Sequence, residues 1–111
     1  MSNEEIKNLM LEFAEHLSQA RAIAQKLEDN RKNDFSAPVV VAARIDSSLN
    51  GPFKVFVHSR DLLKIMDAPT KLVPRDSEVY PFKETADING ACFYELCASH
   101  KPEGETINEA V

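Results

Sequence analysis

Residues 2–29 read SNEEIKNLMLEFAEHLSQARAIAQKLED, and this stretch decides the fold. Ser2 followed by Glu5 has the spacing of a capping box. The serine oxygen takes the N3 amide, and the glutamate reaches back to the N-cap amide. Apolar residues then fall at Ile6, Met10, Phe13, Leu17, Ala20, Ala24 and Leu27, in steps of four and three. That spacing lines one face of a helix, and held over three heptads it makes an a/d seam. Leu9 and Ile23 widen the stripe on one flank, and no Pro or Gly interrupts it. The pattern predicts one helix over residues 2–29.

Length then becomes an argument. A helix of this size runs about 42 Å, whereas a compact domain of this chain length has a radius of gyration near 13 Å. A short sheet cannot cover the whole stripe, yet the stripe stays apolar to Leu27. The expectation is a homo-oligomer whose interface is Ile6, Met10, Phe13, Leu17, Ala20, Ala24 and Leu27. The small pair Ala20 and Ala24 permits close approach.

Outward from the helix, residues 30–36 are a polar connector. Residues 38–45 (PVVVAARI) are a β-branched run of strand length. Residues 46–52 carry an Asn-Gly turn signal, and residues 53–58 (FKVFVH) return. Alternation places Val39, Val41, Ala43 and Ile45 with Phe53, Val55 and Val57 on one apolar face, where the long helix is expected. Val40, Ala42, Arg44, Lys54, Phe56 and His58 share the other face. Ser59 reads as the N-cap of a short helix through Leu62, Leu63, Ile65 and Met66, stopped by Pro69. Residues 71–73 read as a short edge strand. A second hairpin, 78–88 and 91–99, turns at Asn89-Gly90. A two-residue loop would set Glu84 opposite Glu95 and Phe82 opposite Cys97; a four-residue loop would oppose Glu84 to Phe93.

The expected architecture is therefore α+β, with the long helix on a small antiparallel sheet of two hairpins and a short second helix. Residues 1–99 form one domain, and residues 100–111 an acidic tail.

Composition bounds the function. The 111 residues carry 13 Lys+Arg against 18 Asp+Glu, a net charge of −5. No apolar run approaches the ~20 residues of a membrane span. The acidic balance argues against general nucleic-acid binding, which needs a basic footprint. The acidic N-terminus, with no apolar h-region after it, argues against a signal peptide. Two cysteines are too few for a secreted scaffold, so a cytoplasmic location with reduced thiols is expected.

Several side-chain groupings invite a chemical reading. Cys92, Cys97 and His100 begin a metal-like spacing, but residues five apart on a strand face opposite ways, and a zinc site needs a fourth ligand. His58, Ser59 and Asp61 hold the letters of a catalytic triad. Neighbours at a strand end diverge, however, and a triad needs convergence. Glu84 and Glu95 are a candidate carboxylate pair in one register only. With three glycines in the chain there is no phosphate-cradling loop. No catalytic residue, metal ligand or cofactor is assigned. The start of the expected short helix reads instead as an anion site, flanked by Arg44, Lys54, Phe56, His58 and Arg60.

The closing segment, Val79-Tyr80-Pro81-Phe82 and then Ile88-Asn89-Gly90-Ala91-Cys92-Phe93-Tyr94-Glu95-Leu96, resembles a pattern in small bacteriophage and prophage accessory proteins. The resemblance covers under a fifth of the chain. It implies roles such as inhibition of a host protein or sequestration of a nucleotide signal, and it carries over no functional residue. The sequence thus points to a non-catalytic, self-associating interaction protein, an inhibitor or regulator. The alternative is a binder of an anionic small molecule, such as a nucleotide signal, at a subunit boundary.

Overall fold

A computed structural model describes residues 1–98. The long helix is there: α1 runs Asn3–Arg31. Its capping box closes, with the Glu5 amide donating to Ser2 Oγ at 3.1 Å and the Ser2 amide donating to Glu5 Oε1 at 2.7 Å. Five strands follow, β1 Val39–Ser48, β2 Gly51–Arg60, β3 Lys71–Pro74, β4 Phe82–Ile88 and β5 Ala91–Cys97. They form one sheet in the order β1-β2-β5-β4-β3. The class is α+β.

The sheet departs from two antiparallel hairpins. Both hairpins form, but β2 and β5 join them in parallel, with Val57 beside Phe93 and His58 beside Tyr94. The chain leaves β2, crosses to the far edge as β3, and returns through β4 to lay β5 alongside β2. Each hairpin is local and carries its own turn signal, while the parallel ladder is a contact between distant segments. The closing hairpin takes the two-residue register, which sets Glu84 opposite Glu95 and Phe82 opposite Cys97. Asn89 and Gly90 both have positive φ, at 51° and 85°, as the tight turn between twisted strands requires.

The expected second helix does not form. β2 continues through Ser59 to Arg60, and Asp61 turns the chain at φ 62°. Only short i→i+3 turns follow, Ile65 to Leu62 and Met66 to Leu63. Ser59 is therefore a strand residue and not an N-cap. Helix formation needs a nucleus longer than the few residues between Asp61 and Pro69.

Face assignment on β1 also shifts. The pairing skips between Val40 and Ala42, leaving Val41 as the extra residue of a bulge. A bulge inverts alternation on one side of itself. Val40 consequently shares the face of Ser59 and Val57, and Val39 shares the face of His58. From Ala43 onward the expected phase holds.

α1 lies against β1. Its C-terminal end is fixed: Arg31 donates to the Ala37 carbonyl at 2.9 Å and pairs with Asp61 at 3.2 Å. No residue of α1 is buried. The buried apolar residues are Ala37, Val39, Leu63, Leu72 and Ala86. Leu72 and Ala86 share one face of β3 and β4, and Leu63 belongs to the segment after β2 whose amides bond Glu95 of β5. The expected tail, residues 100–111, lies outside the described residues, as does Ser99.

Candidate functional site

The pairing register sorts the chemistry onto two faces. The inner face, toward α1, holds Ala43, Ile45, Val55, Val57, Ala91 and Phe93. The outer face holds Arg44, Lys54, Phe56, His58, Tyr94 and Lys83.

On the inner face, helix and sheet enclose space that they do not fill. One groove of about 420 Å³ runs between Leu17, Ala20 and Ala24 of α1 and Val41, Val57 and Phe93 of the sheet. A second, of about 450 Å³, continues it from Phe13 over Ala43, Ile45 and Val55. Both are apolar, and they share Leu17, Ala20, Ala43 and Val57. Of the expected interface residues, Phe13, Leu17, Ala20 and Ala24 line this groove. Ile6 and Met10 extend beyond it along the same stripe. Leu27 sits half-buried nearer the Arg31 anchor. Ile6, Met10, Phe13 and Leu17 are 46–61% exposed. Close-packed interiors leave few voids larger than a water, so this is a surface rather than a core.

The outer face carries Arg44, Lys54, Phe56 and His58, and three of these, Arg44, Phe56 and His58, make ring contacts there. The Arg44 guanidinium lies 4.7 Å from the Phe56 ring centre. His58 stacks on Tyr94, with centroids 4.9 Å apart and planes 9° from parallel. Lys83 Nζ stands 5.5 Å from the Tyr94 ring on the other strand. Lys54 stands opposite Asp46 in the β1–β2 register. Arg60 lies at the end of β2, exposed, two residues beyond His58. Arg44 is already engaged by Asp46 at 2.7 Å. Burial lowers the His58 pKa below its usual value, and the charge of Arg60 adds to this. Both effects favour the neutral imidazole. Tyr94 and Lys83 were not legible in the sequence as members of this group, because only the parallel β2–β5 ladder brings them to His58.

The expected anion site resolves differently. The amides after Asp61 are indeed free of strand and helix partners, but the chain supplies its own anion. Glu95 Oε2 accepts from the Leu62 amide at 2.8 Å, the Leu63 amide at 2.9 Å and the Ser59 hydroxyl at 2.8 Å. One carboxylate oxygen thus holds three donors. Ser59 is 1% exposed. A small polar cavity of about 200 Å³ opens beside this knot, lined by His58, Arg60, Tyr80 and Glu95 among others. Glu84 faces Glu95 across the β4–β5 ladder. The pairing of two carboxylates is tolerated because Glu95 is turned toward amides and a hydroxyl.

Cys92 and Cys97 lie on opposite faces of β5, opposite Asp87 and Phe82. Both are free thiols. Burial raises the Cys97 pKa, and Glu84 raises it further, which keeps it a thiol and not a thiolate. His100 lies outside the described residues. Among the described residues no group of three or more His, Cys, Asp or Glu could hold a metal ion, and no helix is long and apolar enough to cross a membrane.

No family model matches this chain, and neither a curated protein nor a solved structure matches it.

Proposed function

We propose that this chain is a non-catalytic interaction protein that works as a homo-oligomer, with α1 as the self-association surface. The observation that carries this reading is the exposure of the α1 stripe. Ile6, Met10, Phe13 and Leu17 remain about half exposed on a helix with no buried residue. Contiguous apolar surface beyond a few hundred Å² marks an interaction site. The radius of gyration is 16.9 Å, against about 13 Å for a compact chain of this length. The molecule has the dimensions of a part.

The non-catalytic reading is supported by how its polar groups are spent. Glu95, the leading acid–base candidate, is committed to three donors. Arg44 is committed to Asp46. The reading as an inhibitor or regulator rests on the acidic net charge, which suits a basic partner protein.

Light scattering on the purified full chain tests the first claim. The wild type gives a mass that is a multiple of the monomer, and Phe13→Glu gives the monomer with its far-ultraviolet helical signal retained. A wild-type monomer at all concentrations overturns it.

A second reading is favoured by a separate observation. The outer face sets Phe56, His58 and Tyr94 in contact with Arg44 and Lys83. Aromatic faces bordered by cations suit an anionic ring-bearing ligand such as a nucleotide. A nucleotide panel that raises the melting temperature, with the shift lost in Arg60→Ala, supports this reading. A flat panel removes it.

A further inference from the structure

A sheet of five strands is about 20 Å wide, and helices pack about 10 Å apart. Its inner face therefore has room for more than one helix. The described residues bring one, and α1 lies over the edge strand β1. The segment after β2 is tied to β5 by the Leu62 and Leu63 amides on Glu95. Between them, above Val55, Val57 and Phe93, runs the open apolar groove, with the α1 stripe as its other wall. The missing piece is a helix that is apolar on the side facing both walls.

We propose that a second copy of this chain lays its α1 in that groove, antiparallel to the first, so that two helices lie side by side between two sheets. This rests on the self-association proposed above and specifies its geometry. In heptad terms, Met10, Leu17 and Ala24 occupy a positions, and Ile6, Phe13, Ala20 and Leu27 occupy d positions. An antiparallel pair opposes a to d. In one register Met10 meets Leu27 of the second copy, Phe13 its Ala24 and Leu17 its Ala20, while Ile6 lies level with Arg31 at the end of the seam. In the central layers the large Phe13 and Leu17 meet the small Ala24 and Ala20. A parallel pair would instead set Phe13 against Phe13 and Ala24 against Ala24, crowding one layer and leaving a void in another.

Charge selects the same register. Lys7 and Glu28 are the outer e positions, and in this register they meet across the two-fold, twice per dimer. Neither has an ion-pair partner within the chain among the described residues. The arrangement is isologous and closed, and it covers the groove and the helix stripe together.

The test is a charge exchange read by the dimer dissociation constant of the full chain. Lys7→Glu alone and Glu28→Lys alone each place like charges opposite each other, and each weakens the dimer about ten-fold. The double variant restores wild-type affinity, and an equimolar mixture of the two single variants forms a heterodimer as tight as wild type. Both sites are exposed on the helix, so the variants fold. A wild-type dimer that neither single variant weakens overturns the antiparallel register while leaving self-association intact. A wild-type monomer at every concentration overturns both.

Discussion

The Ser59 hydroxyl and the Glu95 carboxylate meet at 2.8 Å across the parallel β2–β5 ladder, 36 residues apart in the chain. The same oxygen, Oε2, takes the amides of Leu62 and Leu63. Those amides begin the segment that was expected to be a helix, and the carboxylate does for them what a further helical turn would have done. The knot ties three parts of the molecule: the end of β2, the turn after it, and the middle of β5. Removing a partner from buried donors costs more than the bond itself contributes. Glu95→Ala is expected to lower the unfolding free energy by about 3 kcal/mol, and Ser59→Ala by about 1 kcal/mol. Glu95→Gln, which keeps an acceptor oxygen, falls between them. Urea denaturation of the three variants checks the order. Equal stabilities for Glu95→Ala and wild type would show that the knot contributes nothing.

His58 makes stability depend on pH in a definite direction. Burial, helped by Arg60, lowers its folded-state pKa, so the folded protein binds a proton less readily than the unfolded chain, where histidine titrates near 6.5. Stability from this group is fully present above about pH 6.5 and is lost as pH falls through the folded-state value. The urea midpoint should therefore drop between pH 7.5 and pH 5. The drop should be smaller in His58→Gln. A midpoint that rises over the same interval would reverse the sign of the argument.

Gly90 sits at φ 85° in the turn between β4 and β5, and a Cβ placed there meets nothing within 4 Å. The cost of Gly90→Ala is therefore conformational and not steric crowding. About 1 kcal/mol of destabilisation is expected, since only glycine enters this region freely. The β4–β5 register is set by this turn, and with it the seating of Glu95 opposite Glu84. Thermal melts of Gly90→Ala and Gly90→Asn distinguish the cases, because asparagine tolerates positive φ and should recover part of the loss.

Local signals were legible, and the reason is physical. The capping box at Ser2 and Glu5 involves atoms three residues apart, and the stripe from Ile6 to Leu27 is a property of one helix. The turn at Asn89-Gly90 is written by two residues that accept positive φ. Where the reading failed, a distant partner intervened. The helix expected after Ser59 gave way to β2, which runs on through Ser59 to Arg60 because β1 pairs with it there. The face of Val39 and Val40 was inverted by a bulge that composition does not mark. The outer-face array was half visible, because Arg44, Lys54, Phe56 and His58 follow from hairpin alternation, while Tyr94 and Lys83 arrive on other strands.

What the sequence by itself determined are the features whose physics closes within a few residues: a capped helix of about eight turns, two hairpins, and an apolar seam longer than one small sheet can cover. Only the tertiary structure decided how the two hairpins join into one sheet. It placed β5 parallel to β2, and so brought Glu95 to Ser59 and Tyr94 to His58. Pairing between distant strands is chosen by the total burial and hydrogen bonding of the whole sheet, and no local spacing encodes that sum.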